Sequence, residues 1–162
     1  MTENTAPSSG PDTEPVDLEK LMTEVGPLVE AAEVLQYEPH RWLVVFDDDH
    51  AVEIEVDVPL AKVVLTTHLG HPPSGDETAS YKMLLQLTAM WRETGGLRMA
   101  VDPVDDSVIQ IYDFPLAGIQ LESLAIQLSN FANAALHAGK VLSVNAGTSQ
   151  EDAPDNSHFV RV

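Results

Sequence analysis

The most constraining stretch of the chain runs from Val52 to Asp57, where apolar Val52, Ile54 and Val56 alternate strictly with acidic Glu53, Glu55 and Asp57. A period of two sends successive side chains to opposite faces of a strand. One face is then apolar and the other wet, which suits an antiparallel sheet covered on one side and does not suit a parallel sheet buried on both. Two more apolar runs flank this one, Arg41 to Phe46 and Ala61 to His68. Asp47-Asp48-Asp49-His50 reads as the polar tip of the hairpin that joins the first two.

Helical periodicity frames these strands. Leu18, Leu21, Met22, Val25, Val29 and Ala32 recur at steps of three and four, which predicts a first helix with Asp17 as its N-cap. Gly26-Pro27 predicts a kink or restart within it, and Glu38-Pro39 closes it. His71-Pro72-Pro73-Ser74-Gly75 breaks the chain before a second helix, from Glu77 to near Glu93, stopped by Gly95-Gly96. Leu97–Val101 and Val108–Phe114 form a second hairpin around Asp102 to Ser107. A last helix starts near Gln120 and carries Leu121, Leu124, Leu128, Phe131, Ala135, Ala138 and Leu142 in a single stripe. The predicted order is α-β-β-β-α-β-β-α, an α+β fold with a twisted, largely antiparallel sheet and helices packed on it. Residues 1–15 read as a flexible acidic arm, 16–142 as one domain, and 143–162 as a mostly flexible tail in which Phe159, Val160 and Val162 offer weak docking.

Charge removes several function classes. Lys and Arg total 8 against 26 Asp and Glu, a formal net charge of −18 that repels phosphate backbones and anionic lipid. Nucleic acid and membrane are therefore not expected partners. With no cysteine there is no disulfide, thiolate nucleophile or CxxC chemistry, which is compatible with a reducing cytosol. The first residues lack a basic and an apolar region of the secretory type, and no apolar run approaches the ~20 residues of a membrane span. A cytoplasmic protein is expected. His68 and His71 stand close but are followed by two prolines, a poor scaffold for convergent ligands, and Asp47–Asp49 lacks the alternating donors and sixth-place Gly of a calcium loop. No GxSxG, Walker loop, GxGxxG or HExxH is present, and Glu53 and Glu55 read as the solvated side of a strand. We expect no enzyme, catalytic residue, cofactor or metal.

Surplus apolar surface remains. The second helix bears two stripes, Tyr81, Leu84, Leu85 and Trp91 on one side and Met83, Leu87 and Met90 on the next. A helix lying on its own sheet covers one face, so the Met83, Leu87, Met90 face is expected to pack on a second copy of the chain.

The segment from Tyr81 to Leu142 carries a Leu-Leu-bearing helix, a Gly-Gly turn, an apolar hairpin around a polar tip, Pro115-Leu116 and a long C-terminal helix with Phe131. In this order the elements resemble class I type III secretion chaperones of the Tir-chaperone (CesT) family. Thr88 stands where that family often has Asn, and the acidic N-terminal arm is not a usual family feature. The resemblance implies a homodimer without enzymatic activity that binds the N-terminal segment of an effector protein in extended form and keeps it soluble and competent for secretion. It implies β-augmentation and groove filling, in which flexible Met side chains suit loosely defined sequences and acidity steers basic segments. It assigns the dimer interface to Met83, Leu84, Leu87, Met90 and Trp91, with Leu97 and Met99 beside them. It assigns partner binding to Leu21, Val25 and Leu28 of the first helix and to Trp42, Val44 and Phe46 of the first strand. Strand parity leaves Leu43 and Val45 as the alternative set, and the aromatic-bearing set is chosen because it offers larger pockets. The alternative function is a regulatory or orphan protein of the same fold, similar to the YbjN-like group, without an export partner.

Overall fold

The computed structural model describes residues 17–47 and 50–144, so the expectations for residues 1–15, for the hairpin tip at Asp48-Asp49 and for most of 143–162 lie outside the described residues. Three helices and six strands follow in the order α1 (Leu18–Leu28), β1 (Glu33–Glu38), β2 (Arg41–Asp47), β3 (His50–Asp57), β4 (Lys62–Gly70), α2 (Glu77–Ala89), β5 (Arg98–Val101), β6 (Val108–Pro115) and α3 (Leu121–Val144). The strands form one sheet in the order β1-β2-β3-β4-β6-β5, antiparallel throughout. The α+β antiparallel architecture is the expected one.

Two differences trace to residues 26–38. The expected first helix reached to Glu38; α1 stops at Leu28, and Glu33–Glu38 is instead a strand, which makes the order α-β-β-β-β-α-β-β-α. Pro27 has no N–H to continue the ladder, and Val29 N–H closes the last turn on the carbonyls of Val25 and Gly26. Glu30 then takes a left-handed φ of 57° and turns the chain back. The alternation of Val34 and Gln36 with Leu35 and Tyr37 completes an edge strand. Gly26 is required for this return: a Cβ there would stand 2.9 Å from Val34 Cγ2, so α1 and β1 approach too closely for a side chain. The third difference is length. α2 ends at Ala89 rather than near Glu93, and its C-terminal turn closes through Met90 N–H on the carbonyls of Gln86 and Leu87.

All three helices lie on one face of the sheet. Trp42, Val44, Val52, Ile54, Val56, Val63 and Leu65 point to that face and are buried against Met22 and Val25 of α1 and Leu124, Leu128 and Phe131 of α3. Gln110 of β6 is fully buried among them, and its Nε2 donates to the Phe131 carbonyl at 3.1 Å, tying the sheet to α3. A smaller cluster of Leu84, Val108 and Leu142, with Tyr81 and Met99 against it, holds α2 on the β5–β6 hairpin and the end of α3. The other face carries Arg41, Leu43, Glu53, Glu55, Val64, Ile111 and Asp113 in register, with no helix over them among the described residues.

Candidate functional site

Two surfaces are apolar beyond the needs of the core. The first lies along β1. A groove of about 520 Å³ runs between α1 and β1, lined by Met22, Gly26, Pro27, Val34 and Trp42, with Glu19 and Glu33 beside them. β1 is the outermost strand and carries Leu35 and Tyr37 exposed on its far face. An unpaired edge beside exposed apolar side chains is a template for another extended chain.

The opposite edge of the sheet is engaged at one residue. Thr88 of α2 points at β5, where its Oγ1 accepts from Met99 N–H at 3.0 Å and donates to the Met99 carbonyl at 3.3 Å. One hydroxyl thus engages both main-chain groups of the residue that would pair with an added strand.

The second surface is α2 with the turn that follows it. Leu85 is 70% exposed, Trp91 57% and Met90 47%, next to a shallow depression lined by Tyr81, Lys82 and Ala89. Arg92 stacks its guanidinium over the Trp91 ring at 5.1 Å. Exposed apolar residues of this size, grouped within seven positions of the chain, mark an interaction surface.

The residues named from sequence divide between core and surface. Of the dimer set, Met90 and Trp91 are exposed and Met83 and Leu87 half-buried, but Leu84 is buried within the chain, Met99 packs beside it, and Leu97 packs on the main core. Leu85, a stripe residue outside that set, is more exposed than any residue in it. Of the partner set only Leu28 is exposed. Val25, Trp42 and Val44 are core, with Leu21 and Phe46 packed against it, because β2 turns its even-numbered side chains toward α1 and α3. Leu43 and Val45 are on the open face.

Ion pairs organise that open face. Arg41 bonds Glu55 at 2.7 Å and lies 3.7 Å from Glu53 and 3.8 Å from Glu38, so two of the acids of β3 that alternate with its core residues are held by one guanidinium. Partial desolvation, and the bond to and charge of Glu53, push the Tyr37 phenol up to about 12, keeping it a neutral donor. Asp113 pairs with Lys62 at 2.8 Å and with Arg98. The Lys62 hydrogen bond, aided by Arg98, holds its carboxyl below the ordinary range. A carboxyl lowered on folding stabilises the fold above its unfolded value near 4 and loses that contribution as pH falls through the folded value. Since both cations are half exposed, Asp113→Asn is expected to cost about 1 kcal/mol at neutral pH. Thermal melts from pH 7 downward should show the gap from wild type closing below about pH 4.

His68 and His71 act as links rather than as a pair. His68 Nδ1 lies 3.0 Å from Ser107 Oγ, and His71 Nε2 donates to the Asp105 carbonyl at 3.0 Å, both joining β4 and the segment after it to the β5–β6 hairpin. Among the described residues no group of three or more His, Cys, Asp or Glu is placed to hold a metal, and no helix is long and apolar enough to cross a membrane.

The sequence from residue 38 to 138 matches the model of the Tir chaperone protein (CesT) family. The chain belongs to that family. No curated protein sequence matches this CesT-family chain. Its fold is similar to a chain of the ExsC–ExsE complex, with a TM-score of 0.64 and 16% identity over 77% of this chain and 92% of that one. It is also similar to the Yersinia pestis type III secretion chaperone SycH in complex with a fragment of YscM2, at 0.52 and 18% over 74% and 97%. YbjN from E. coli shares the fold at 0.51 and 13% over 80% and 89%.

Proposed function

We propose that this CesT-family chain is a cytoplasmic type III secretion chaperone. It dimerises through the exposed face of α2 and binds the N-terminal segment of an effector in extended form along β1, keeping it soluble and competent for secretion. The observation that carries the reading is the open β1 edge beside a groove with mixed apolar and acidic walls, while Thr88 engages Met99 on the other edge. An added strand takes main-chain hydrogen bonds from such an edge, and alternate side chains enter the groove. Met22 in the groove suits side chains of varied shape, and the net charge of −18 steers basic segments toward the surface. No residue is given a catalytic role and no cofactor is required.

Gln36 is exposed on β1 and lines the groove. Gln36→Trp is expected to fill it without touching the core and to weaken binding of the effector's N-terminal segment about 10- to 100-fold, the equivalent of one large apolar side chain kept from burial. Titration calorimetry with matched thermal melts reads this. Unchanged affinity with an unchanged melt would remove the groove from the binding surface.

A further inference from the structure

Between the end of α1, the β2–β3 hairpin and the middle of α3 lies a cavity of about 320 Å³, apart from both surfaces described above. Leu28, Phe46 and Leu136 form apolar walls, and the exposed Glu30 and Asp47 stand at its mouth. Its inner end holds His50, which is only 7% exposed, with its ring 5.4 Å from that of Phe46. The buried His50 Nε2 has no hydrogen-bond partner among the described residues. A buried ring nitrogen left unmated is disfavoured, and a donor entering the cavity relieves it.

We infer that this cavity is a subsite for one arginine side chain of the bound segment. The aliphatic stem packs on Leu28, Phe46 and Leu136, the guanidinium meets Glu30 and Asp47, and one N–H is donated to His50 Nε2. Three features converge on that chemistry. The volume accepts a single long side chain; the acidic mouth on a chain of net charge −18 favours a cation. Arginine has five donors, enough for two carboxylates and an imidazole together, where lysine has three on a single point. The inference rests on the partner-binding reading above and adds to it a preferred residue and its place.

The test uses the full labelled chain and three small probes at 0.15 M salt (about 8 Å of screening length): N-acetyl-arginine amide, its citrulline analogue and its norleucine analogue. Titration followed by NMR is expected to move the signals of Glu30, Asp47 and His50, with arginine bound about fivefold more tightly than citrulline, the order of one ion pair at a partly exposed site. Citrulline should in turn bind better than norleucine. Glu30→Gln, on an exposed residue, should lower arginine binding toward the citrulline level, with Asp47 retaining part of the advantage. His50→Phe should remove the advantage of citrulline over norleucine. Equal binding of all three probes, or shifts spread across the acidic surface and unmoved by Glu30→Gln, would overturn the assignment. Because the probes need no effector, failure here leaves the chaperone reading standing, and loss of that reading is scored separately by effector binding.

Discussion

Trp42→Ala is expected to lower the stability of the domain by about 3–5 kcal/mol, the cost of removing a large aromatic from a packed core. Trp42 is 3% exposed and sits beside Val44, Ile54 and Met22 under α1. In a domain of this size such a loss moves the melting midpoint down by roughly 10 °C or more. Circular dichroism melts measure it directly, and because Trp42 also lines the α1–β1 groove, effector binding should fall further than the folded fraction alone. A variant that melts like wild type would show instead that Trp42 contributes little to the core.

Leu85→Asp should convert the dimer to a folded monomer. In a two-fold interface every residue is counted twice, so burying two copies of Leu85 is worth about 4–6 kcal/mol, roughly a 10³- to 10⁴-fold change in the dissociation constant. Folding should be almost untouched, since the side chain is 70% exposed within one protomer. Light scattering at micromolar concentration distinguishes the two masses, and a cooperative melt checks the fold. If Leu85→Asp remains dimeric, the interface lies off α2. If the unaltered chain is already monomeric, the homodimer is wrong.

Much of the fold was legible because period and punctuation agreed. The alternation from Val52 to Asp57 reported a one-sided strand, and β3 buries its even positions and leaves Glu53 and Glu55 to Arg41. The single stripe from Leu121 to Leu142 became α3. β1 was not legible because Val29 and Ala32 extend the helical period past Pro27, while the alternation of Val34 to Tyr37 covers only four residues. A proline at the penultimate position of a helix was the signal to weigh more heavily.

The site was harder to read for a physical reason. Apolar periodicity identifies which residues leave water, but not whether their cover is the same chain or another. Leu84 and Leu85 are neighbours of the same type, yet one is sealed by Val108 and Leu142 and the other points outward, a difference of one step around α2. Likewise Trp42 and Leu43 belong to opposite faces of β2, and parity followed from α1 and α3 both packing on the Trp42 side. Thr88, distinguished from sequence only by standing where Asn is frequent, proved to be the group that engages Met99 on the β5 edge.

The most direct test of the chaperone reading is hydrogen exchange on the chain purified with its effector, together with the mass of the intact complex. Two copies of the chain per effector, protection of the effector's N-terminal segment, and slowed exchange along Glu33–Glu38 with β5 unaffected are the expected results. A bare dimer, or an effector bound with the amides of β1 exchanging as in the free chain, would contradict it.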